Sequence, residues 1–332
     1  IDLLAVLLPD SAHIQEKEAE WQLRHRHRRG RLEGGVQPPL YTVAQAQSAL
    51  QLLRPAGYGK TIQPAEKVKV CFHDAGHILG SAIIEVYISE KGKEPVKMVF
   101  SGDLGQPDQP ILRNPEYIND ADYLIVESTY GDRLHQIYDK ESALAEVIND
   151  TMDRGGNLVI PTFAVGRTQT MLYYLYRLWK EHRIDDVPIV IDSPLAIAAT
   201  RVFIDNMKVF DDEAVELLQK NGQFPEMPQL RICRTAEESK ALNSSEEPSI
   251  IISASGMCDA GRILHHLKHN LWRPESTILF VGYQAEGSLG RRLTDGIKRV
   301  KMTIHLEDGH FFIAGSYVFY YQRPIIFHHA PP

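Results

Sequence analysis

The sequence predicts an α/β chain in two parts, a sheet-rich first part followed by a three-layer α/β unit with a parallel sheet. Short β-prone runs crowd the stretch between Lys67 and Val126. After Gly131, helical and strand patterns alternate, which is how crossover helices on a parallel sheet read in sequence. With 332 residues, 43% of them hydrophobic, the chain can fill two separate cores.

Residues 10–22 read as a helix, with Asp10 or Ser11 available as a cap and Glu16, Glu18 and Glu20 interleaved with Ile14, Ala19 and Trp21. A basic stretch follows, Arg24, Arg26, Arg28, Arg29 and Arg31, and Gly30, Gly34, Gly35, Pro38 and Pro39 then break the pattern. Residues 42–53 look helical again. Strands are expected at 68–72, 82–88, 96–100 and 123–126.

In the second part, helix 140–153 leads to strand 158–161. Helix 168–179 places Met171, Leu172, Leu175, Leu178 and Trp179 on one face, as core residues. Strand 188–191, helices 195–207 and 213–220, and strand 230–233 follow. Thr235 with Glu238 makes a capping box. Then come strand 249–253, helix 259–270, strand 277–281 and helix 288–293. From Val300 the regularity is lost, and the remaining stretch is rich in aromatics and histidine.

Composition excludes several classes. Charged residues make up 24%, so disorder does not describe the chain, and no run approaches the ~18 apolar residues of a membrane span. Lysine plus arginine number 36 against 43 acids, a net charge of −7, so any polyanion contact is local. Cys71, Cys233 and Cys258 are odd in number and far apart, which fits a reducing, cytoplasmic home. The first eight residues are too short, and lack the basic leader, for a secretory signal. A chain beginning with Ile reads as cut from something longer.

Two motif-like signals fail on spacing. Gly57-Tyr58-Gly59-Lys60-Thr61 ends like a phosphate-binding loop, but Arg54 stands where that loop needs its first glycine. His25-Arg26-His27 begins like a His-x-His-x-Asp-His metal motif, but Arg29 and Gly30 occupy the last two positions.

Three strand ends carry better chemistry. His77 lies in the small-residue turn His73-Asp74-Ala75-Gly76-His77-Ile78-Leu79-Gly80-Ser81-Ala82. Asp103 lies in Ser101-Gly102-Asp103-Leu104-Gly105, and Glu127 opens Glu127-Ser128-Thr129-Tyr130-Gly131. An imidazole and a carboxylate on neighbouring strand ends are ordinary ligands for zinc or manganese. Further on, Phe163-Ala164-Val165-Gly166-Arg167-Thr168 joins a strand to a helix, so Gly166, the helix start and Arg167 suit a phosphate. Ser253-Ala254-Ser255-Gly256-Met257-Cys258 is a similar turn. His265, His266 and His269 line one side of a helix without carboxylate support and read as surface or core-edge residues.

This order of motifs, with Asp10-Ser11-Ala12-His13-Ile14-Gln15-Glu16 at the start and Asp192-Ser193-Pro194-Leu195-Ala196 in the middle, resembles the metallo-β-lactamase-fold nucleases carrying a β-CASP insertion. The likeness covers roughly residues 1–302 and is nearest to the prokaryotic RNA-processing nucleases related to the cleavage and polyadenylation endonuclease. It implies an α/β fold: a metallo-β-lactamase αβ/βα sandwich, incomplete here, with an inserted three-layer β-CASP domain. The implied boundaries are 1–131 for the first, 132–302 for the second and 303–332 for a divergent remnant of the sandwich.

The resemblance also implies an activity, RNA phosphodiester hydrolysis by water activated between two Zn2+ ions. By position His77 resembles a zinc ligand and Asp103 the carboxylate bridging both ions. Glu127 resembles the acid that orients a histidine protonating the leaving oxygen. Gly166, Arg167, Ser255 and Gly256 would bind the strand, single-stranded RNA fits better than a duplex, and a homodimer is expected. Exonuclease and endonuclease modes both stay open.

The family's His-x-His-x-Asp-His motif has no counterpart in this sequence, and its C-terminal histidine elements are replaced by Gly309-His310-Phe311 and Phe327-His328-His329-Ala330. His310 is the stand-in for the leaving-group histidine, and His328 or His329 for the last metal ligand. Two other readings remain: a metal-free protein that binds RNA or a nuclease partner, and a small-molecule metallo-hydrolase on the same fold.

Overall fold

The computed structural model describes residues 1–29, 38–132, 139–219, 227–297, 299–300, 303–305, 311–313, 317–318 and 325–326. They fall into two compact units, one of residues 1–75, 79–104 and 115–126, the other of 76–78, 105–114 and 127–332.

The first unit opens with helix α1, Asp2–Arg29, which is longer at both ends than the expected 10–22. Leu3, Leu4, Ala5, Leu7 and Leu8 are good helix formers, the arginines continue the helix, and Pro9 is absorbed within it. Helix α2, Val43–Leu50, starts at a Thr42 cap whose hydroxyl accepts from the Gln45 amide while the Gln45 side chain reaches back. Gln15 and Glu16 of α1 accept from the Leu40 and Val43 amides at 2.9 and 3.1 Å, so the early acidic motif ties the two helices together.

Five strands follow in sequential order: β1 Ile62–Ala65, β2 Val68–Asp74, β3 Ala82–Ile88, β4 Val96–Phe100 and β5 Tyr123–Ile125. The first was not expected from the sequence, because Pro64 and the polar residues around it mask its period. Pairing is antiparallel except between β4 and β5. Cys71 therefore faces Glu85, and Phe100 lies beside Ile125. Ala75, Ile83 and Val99 form the core of one face, packed by Leu104 and Ile118. The ends of β2, β4 and β5 share one edge of this sheet, and His77, Asp103 and Glu127 follow those ends in sequence.

The second unit alternates α3 Lys140–Asp153, β6 Leu158–Pro161, α4 Arg167–Lys180, β7 Ile189–Asp192, α5 Pro194–Asp205, α6 Asp212–Gln219, β8 Leu230–Ile232, α7 Ala236–Asn243, β9 Ile250–Ser253, α8 Ile263–Asn270, β10 Thr277–Phe280 and α9 Leu289–Thr294. The sheet order is β10-β6-β9-β7-β8, all parallel, with the short strand Ile325–Ile326 parallel to β10 on the outer side. Every residue of β6, β7 and β9 is buried, as expected for strands covered on both faces.

Alternation along those strands builds two cores. Leu158, Ile160, Ile189, Ile191, Ile250 and Ile252 pack on α3 and α4 through Leu144, Ile148, Leu172 and Leu175. Val159, Ile251, Ile278 and Phe280 pack on the other side against Ile263, Leu267 and Leu293. The three-layer reading and the core face of α4 thus agree with the structure. The expected helix 259–270 begins only at Ile263, because Ser255 Oγ accepts from the Asp259 and Ala260 amides at 3.2 and 3.4 Å and keeps that segment in a turn.

Candidate functional site

In a parallel sheet all strands finish at one edge, where ligands of open α/β sheets are bound. Three turns meet at that edge of the second unit. The turn after β6 ends at Gly166, whose φ of 80° favours glycine, and α4 begins there without a side-chain cap. Its shape is set by Thr168 Oγ1, which bonds the Phe163 carbonyl and Thr162 Oγ1, both at 2.8 Å.

The turn after β9 lies against it. A Cβ on Gly256 would sit 2.9 Å from the Phe163 nitrogen, so only glycine permits the approach. The turn after β10 joins through Gln284, whose Nε2 donates to the Gly256 and Gly282 carbonyls at 3.0 and 3.1 Å. Tyr130 meets Tyr283 edge-on with ring centroids 6.2 Å apart. Glu127, half-buried, accepts from the Thr129 amide at 3.3 Å. A Cβ on Gly166 would lie 3.0 Å from Ile78, the residue after His77.

The expected RNA-binding residues therefore fall at one edge: Gly256 abuts the Thr162-Phe163 segment of the turn that leads to Gly166 and Arg167, and Ser255 precedes Gly256. Phe163, on the same turn, is 43% exposed, an aromatic face at the rim that sequence reasoning did not single out.

Behind this edge lies a polar cluster that sequence reasoning missed. Asp192, at the end of β7, receives His266 Nε2 and Arg262 Nη1 at 2.6 Å each and Ser239 Oγ at 2.5 Å. Burial pushes the Asp192 carboxyl up, but the hydrogen bonds from His266, Ser239 and Arg262 outweigh it and hold it below the usual carboxylate range. His266 is fully buried, which corrects its assignment to the surface or core edge: the i, i+4 spacing was visible, but its partner Asp192 is far away in sequence. His265 is half-buried and His269 exposed, and neither joins this cluster.

The other expected site residues are more exposed. His77 lies in the bend after β2 and Asp103 in the bend after β4, and each is exposed within its own unit. Gly105 passes so close to the Gly76 carbonyl that a Cβ there would lie 1.9 Å from its oxygen. His310, His328 and His329 lie outside the described residues.

A catalytic zinc takes about three protein ligands. His77 and Asp103 alone do not supply them, so the described residues do not fit a complete metal centre. Elsewhere Cys71, His73 and Glu85 bring one donor atom each within 4.8 Å of one another. His73 and Glu85 already have other partners, however. His73 Nε2 bonds Glu85 at 2.8 Å, its Nδ1 bonds Glu116 at 2.9 Å, and the Lys97 ammonium lies 2.7 Å from Glu85.

Among the described residues no helix is long and apolar enough to cross a membrane.

The Beta-Casp domain model matches residues 168–293, the stretch that carries α4 to α9. Ribonuclease TTHA0252 of Thermus thermophilus is 37% identical over 257 residues, 77% of this chain and 58% of that protein. An RNase J-like protein of Methanocaldococcus jannaschii is 34% identical over 266 residues, 79% of this chain and 60% of its own length. Transcription termination factor FttA of the same organism is 30% identical over 305 residues, 90% of this chain and 44% of its own. The chain thus spans about half of the length of these curated relatives.

Proposed function

The chain belongs to the Beta-Casp domain family through residues 168–293, and from that membership we propose that the protein hydrolyses phosphodiester bonds in RNA, as a divalent-metal-dependent nuclease of RNA processing or decay. Relatives named ribonuclease and RNase J-like support the reaction class. One structural observation carries the reading for this chain: three strand-end turns are locked together through Gly256, Phe163 and Gln284 at the edge where a parallel sheet binds ligands.

That edge suits a single strand of RNA. The start of α4 brings Arg167 to this turn to meet a phosphate, while exposed Phe163 offers a face on which an unpaired base can stack. A duplex presents no free base to such a ring. The chain's own residues hold and orient the strand through these turns. Gly166 and Gly256 keep the approach open, and Ser255 and Gln284 fix the turn beside it.

The metal part of the proposal is zinc: a complete pair of ions would supply hydroxide near neutral pH. His77 and Asp103 are the ligands assigned to it and Glu127 the acid that orients a proton donor, for which His310 is the candidate, with His328 or His329 as a further ligand. A domain division at 131 and 302, a cytoplasmic location and a homodimer complete the reading.

The test is direct: zinc content by elemental analysis, together with cleavage of single-stranded RNA labelled at its 5′ or 3′ end, which also separates end-directed from internal cutting. RNA binding without zinc and without cleavage would favour the metal-free binding reading. That alternative rests on the short ligand set among the described residues. Absence of RNA binding would favour a small-molecule hydrolase.

A further inference from the structure

Strands β2 and β3 are joined by a loop over residues 75–81, longer than the about two to five residues of an ordinary hairpin connection. His77 lies near its middle and is exposed. The β2–β3 ladder ends where Asp74 faces Ala82, so the direction of the loop is set by whatever holds its two feet.

Both feet are held from outside the hairpin. β1 pairs with β2 only between Val68 and Val70, and beyond that the open side of β2 is taken by other groups. The Glu116 amide donates to the Asp74 carbonyl at 2.9 Å, and Glu116 Oε1 accepts from the Asp74 amide at 3.2 Å. One residue thus meets both backbone groups of the last residue of β2, as a neighbouring strand does. At the other foot the Ser81 carbonyl accepts from the Ala75 amide at 3.4 Å and from the Tyr58 hydroxyl at 2.7 Å.

The second carboxylate oxygen of Glu116 is also engaged. Oε2 lies 2.9 Å from His73 Nδ1, while His73 Nε2 lies 2.8 Å from Glu85 of β3. The sheet therefore orients the imidazole, and the imidazole orients the carboxylate that holds Asp74. Stability is a weak reason for this arrangement, because the Glu116 side chain is 48% exposed and pairs so placed contribute little.

We infer that Glu116 is a positioning residue for the loop that carries His77: main chain and carboxylate together grip Asp74, with His73 aligning the carboxylate, and so fix how the chain departs from β2. That the loop serves RNA cleavage rests on the function proposed above; the grip itself does not. A participating group misplaced by about 1 Å costs up to about 100-fold in rate, and on that function the strand is held by other turns.

The test compares the whole protein with Glu116→Ala and Glu116→Gln. Three readouts are taken: hydrogen exchange of amides 74–81, the NMR signal of the His77 imidazole, and kcat and KM for single-stranded RNA. Glu116→Ala is expected to speed exchange at Asp74 and in the loop by about tenfold, the worth of one hydrogen bond, and to shift the His77 signal, with Tm close to the parent's. Its kcat should fall about 10- to 100-fold at nearly constant KM. Glu116→Gln keeps an oxygen for the Asp74 amide and should restore exchange, signal and kcat.

Unchanged exchange and an unchanged His77 signal in Glu116→Ala overturn the grip and leave the RNA reading intact. A lowered Tm in both variants, with the His77 signal unmoved, overturns it in favour of a purely structural carboxylate. A loosened loop with full cleavage overturns the positioning role. If the parent cuts no RNA but the loop and the His77 signal respond as expected, the grip stands and the RNA reading falls; if the loop does not respond either, both fall.

Discussion

Asp192 Oδ2 lies 2.6 Å from His266 Nε2, with both side chains fully buried and the two residues 74 positions apart in the chain. Asn243 Nδ2 donates to the Ser239 carbonyl at 3.2 Å, which turns Asn243 Oδ1 toward His266 Nδ1 at 3.1 Å. Both ring nitrogens thus face side-chain oxygens. Arg262 links the same carboxylate to the Cys233 and Arg234 carbonyls. One carboxylate therefore joins β7, α7, α8 and the end of β8.

Asp192→Ala should destabilise the second unit by about 3–5 kcal/mol, because it strands the buried donors of His266 and Arg262 without their acceptor. Urea unfolding followed by tryptophan fluorescence measures this. A loss below about 1 kcal/mol would show that the cluster is solvated in solution and the pairing is not a structural anchor.

His73, between Glu85 and Glu116, gives the first unit a pH dependence. Burial alone would lower its pKa, but hydrogen bonds to Glu116 and Glu85 outweigh that and raise it. Its contribution is therefore complete below the unfolded value of about 6.5 and is lost as pH rises through the higher folded value. Glu85 has the opposite sense. Burial raises its pKa, bonds from Lys97 and His73 lower it further, and its contribution is lost as pH falls through the lowered value. Unfolding midpoints at pH 5.5, 7 and 8.5 should fall toward the alkaline end in the parent and flatten in His73→Gln. An equal alkaline decline in both proteins would sink this assignment.

The parallel sheet and the three layers were legible because α/β alternation is a local, periodic signal, and the core face of α4 follows from helical spacing, but the strand order was not legible. Capping boxes at Thr42 and Thr235 are local too, although only the second was recognised. What failed was non-local. α1 ran past its expected end because no strong breaker stands between Trp21 and Gly30, and past its expected start because Pro9 is absorbed within it. β1 was hidden by Pro64, and α8 starts late because Ser255 caps a turn. His266 was misplaced because burial depends on Asp192, which sequence spacing cannot pair with it. The strand-end turns could be named from small residues, but their contact through Gly256 and Phe163 could not.

Gly256→Ala tests that contact. The new methyl would lie 2.9 Å from the Phe163 nitrogen and 3.1 Å from the Thr162 carbonyl carbon, so backbone must shift on one side or the other. Overpacking of this kind costs about 1–3 kcal/mol. Single-stranded RNA affinity should drop several-fold, because the turn bearing Gly166 and Arg167 moves with Phe163. Differential scanning fluorimetry alongside anisotropy distinguishes the cases, and unchanged affinity with a lowered Tm would confine Gly256 to packing.

Asp103→Ala and His77→Ala separate binding from chemistry. On the proposed function, a bridging carboxylate and an imidazole ligand would have their effect through bound zinc, whereas the turns of the second unit would hold the strand. Each variant should therefore lose zinc and lose RNA cleavage by at least about 100-fold, the scale of one electrostatic catalytic element, while Kd for single-stranded RNA changes less than about threefold. The argument turns on both readouts together. Normal turnover with stoichiometric zinc removes His77 and Asp103 from the proposed centre. Parallel loss of affinity and cleavage with zinc retained makes them strand contacts. A parent protein that binds RNA, holds no zinc and cuts nothing leaves the second unit as an RNA-holding surface.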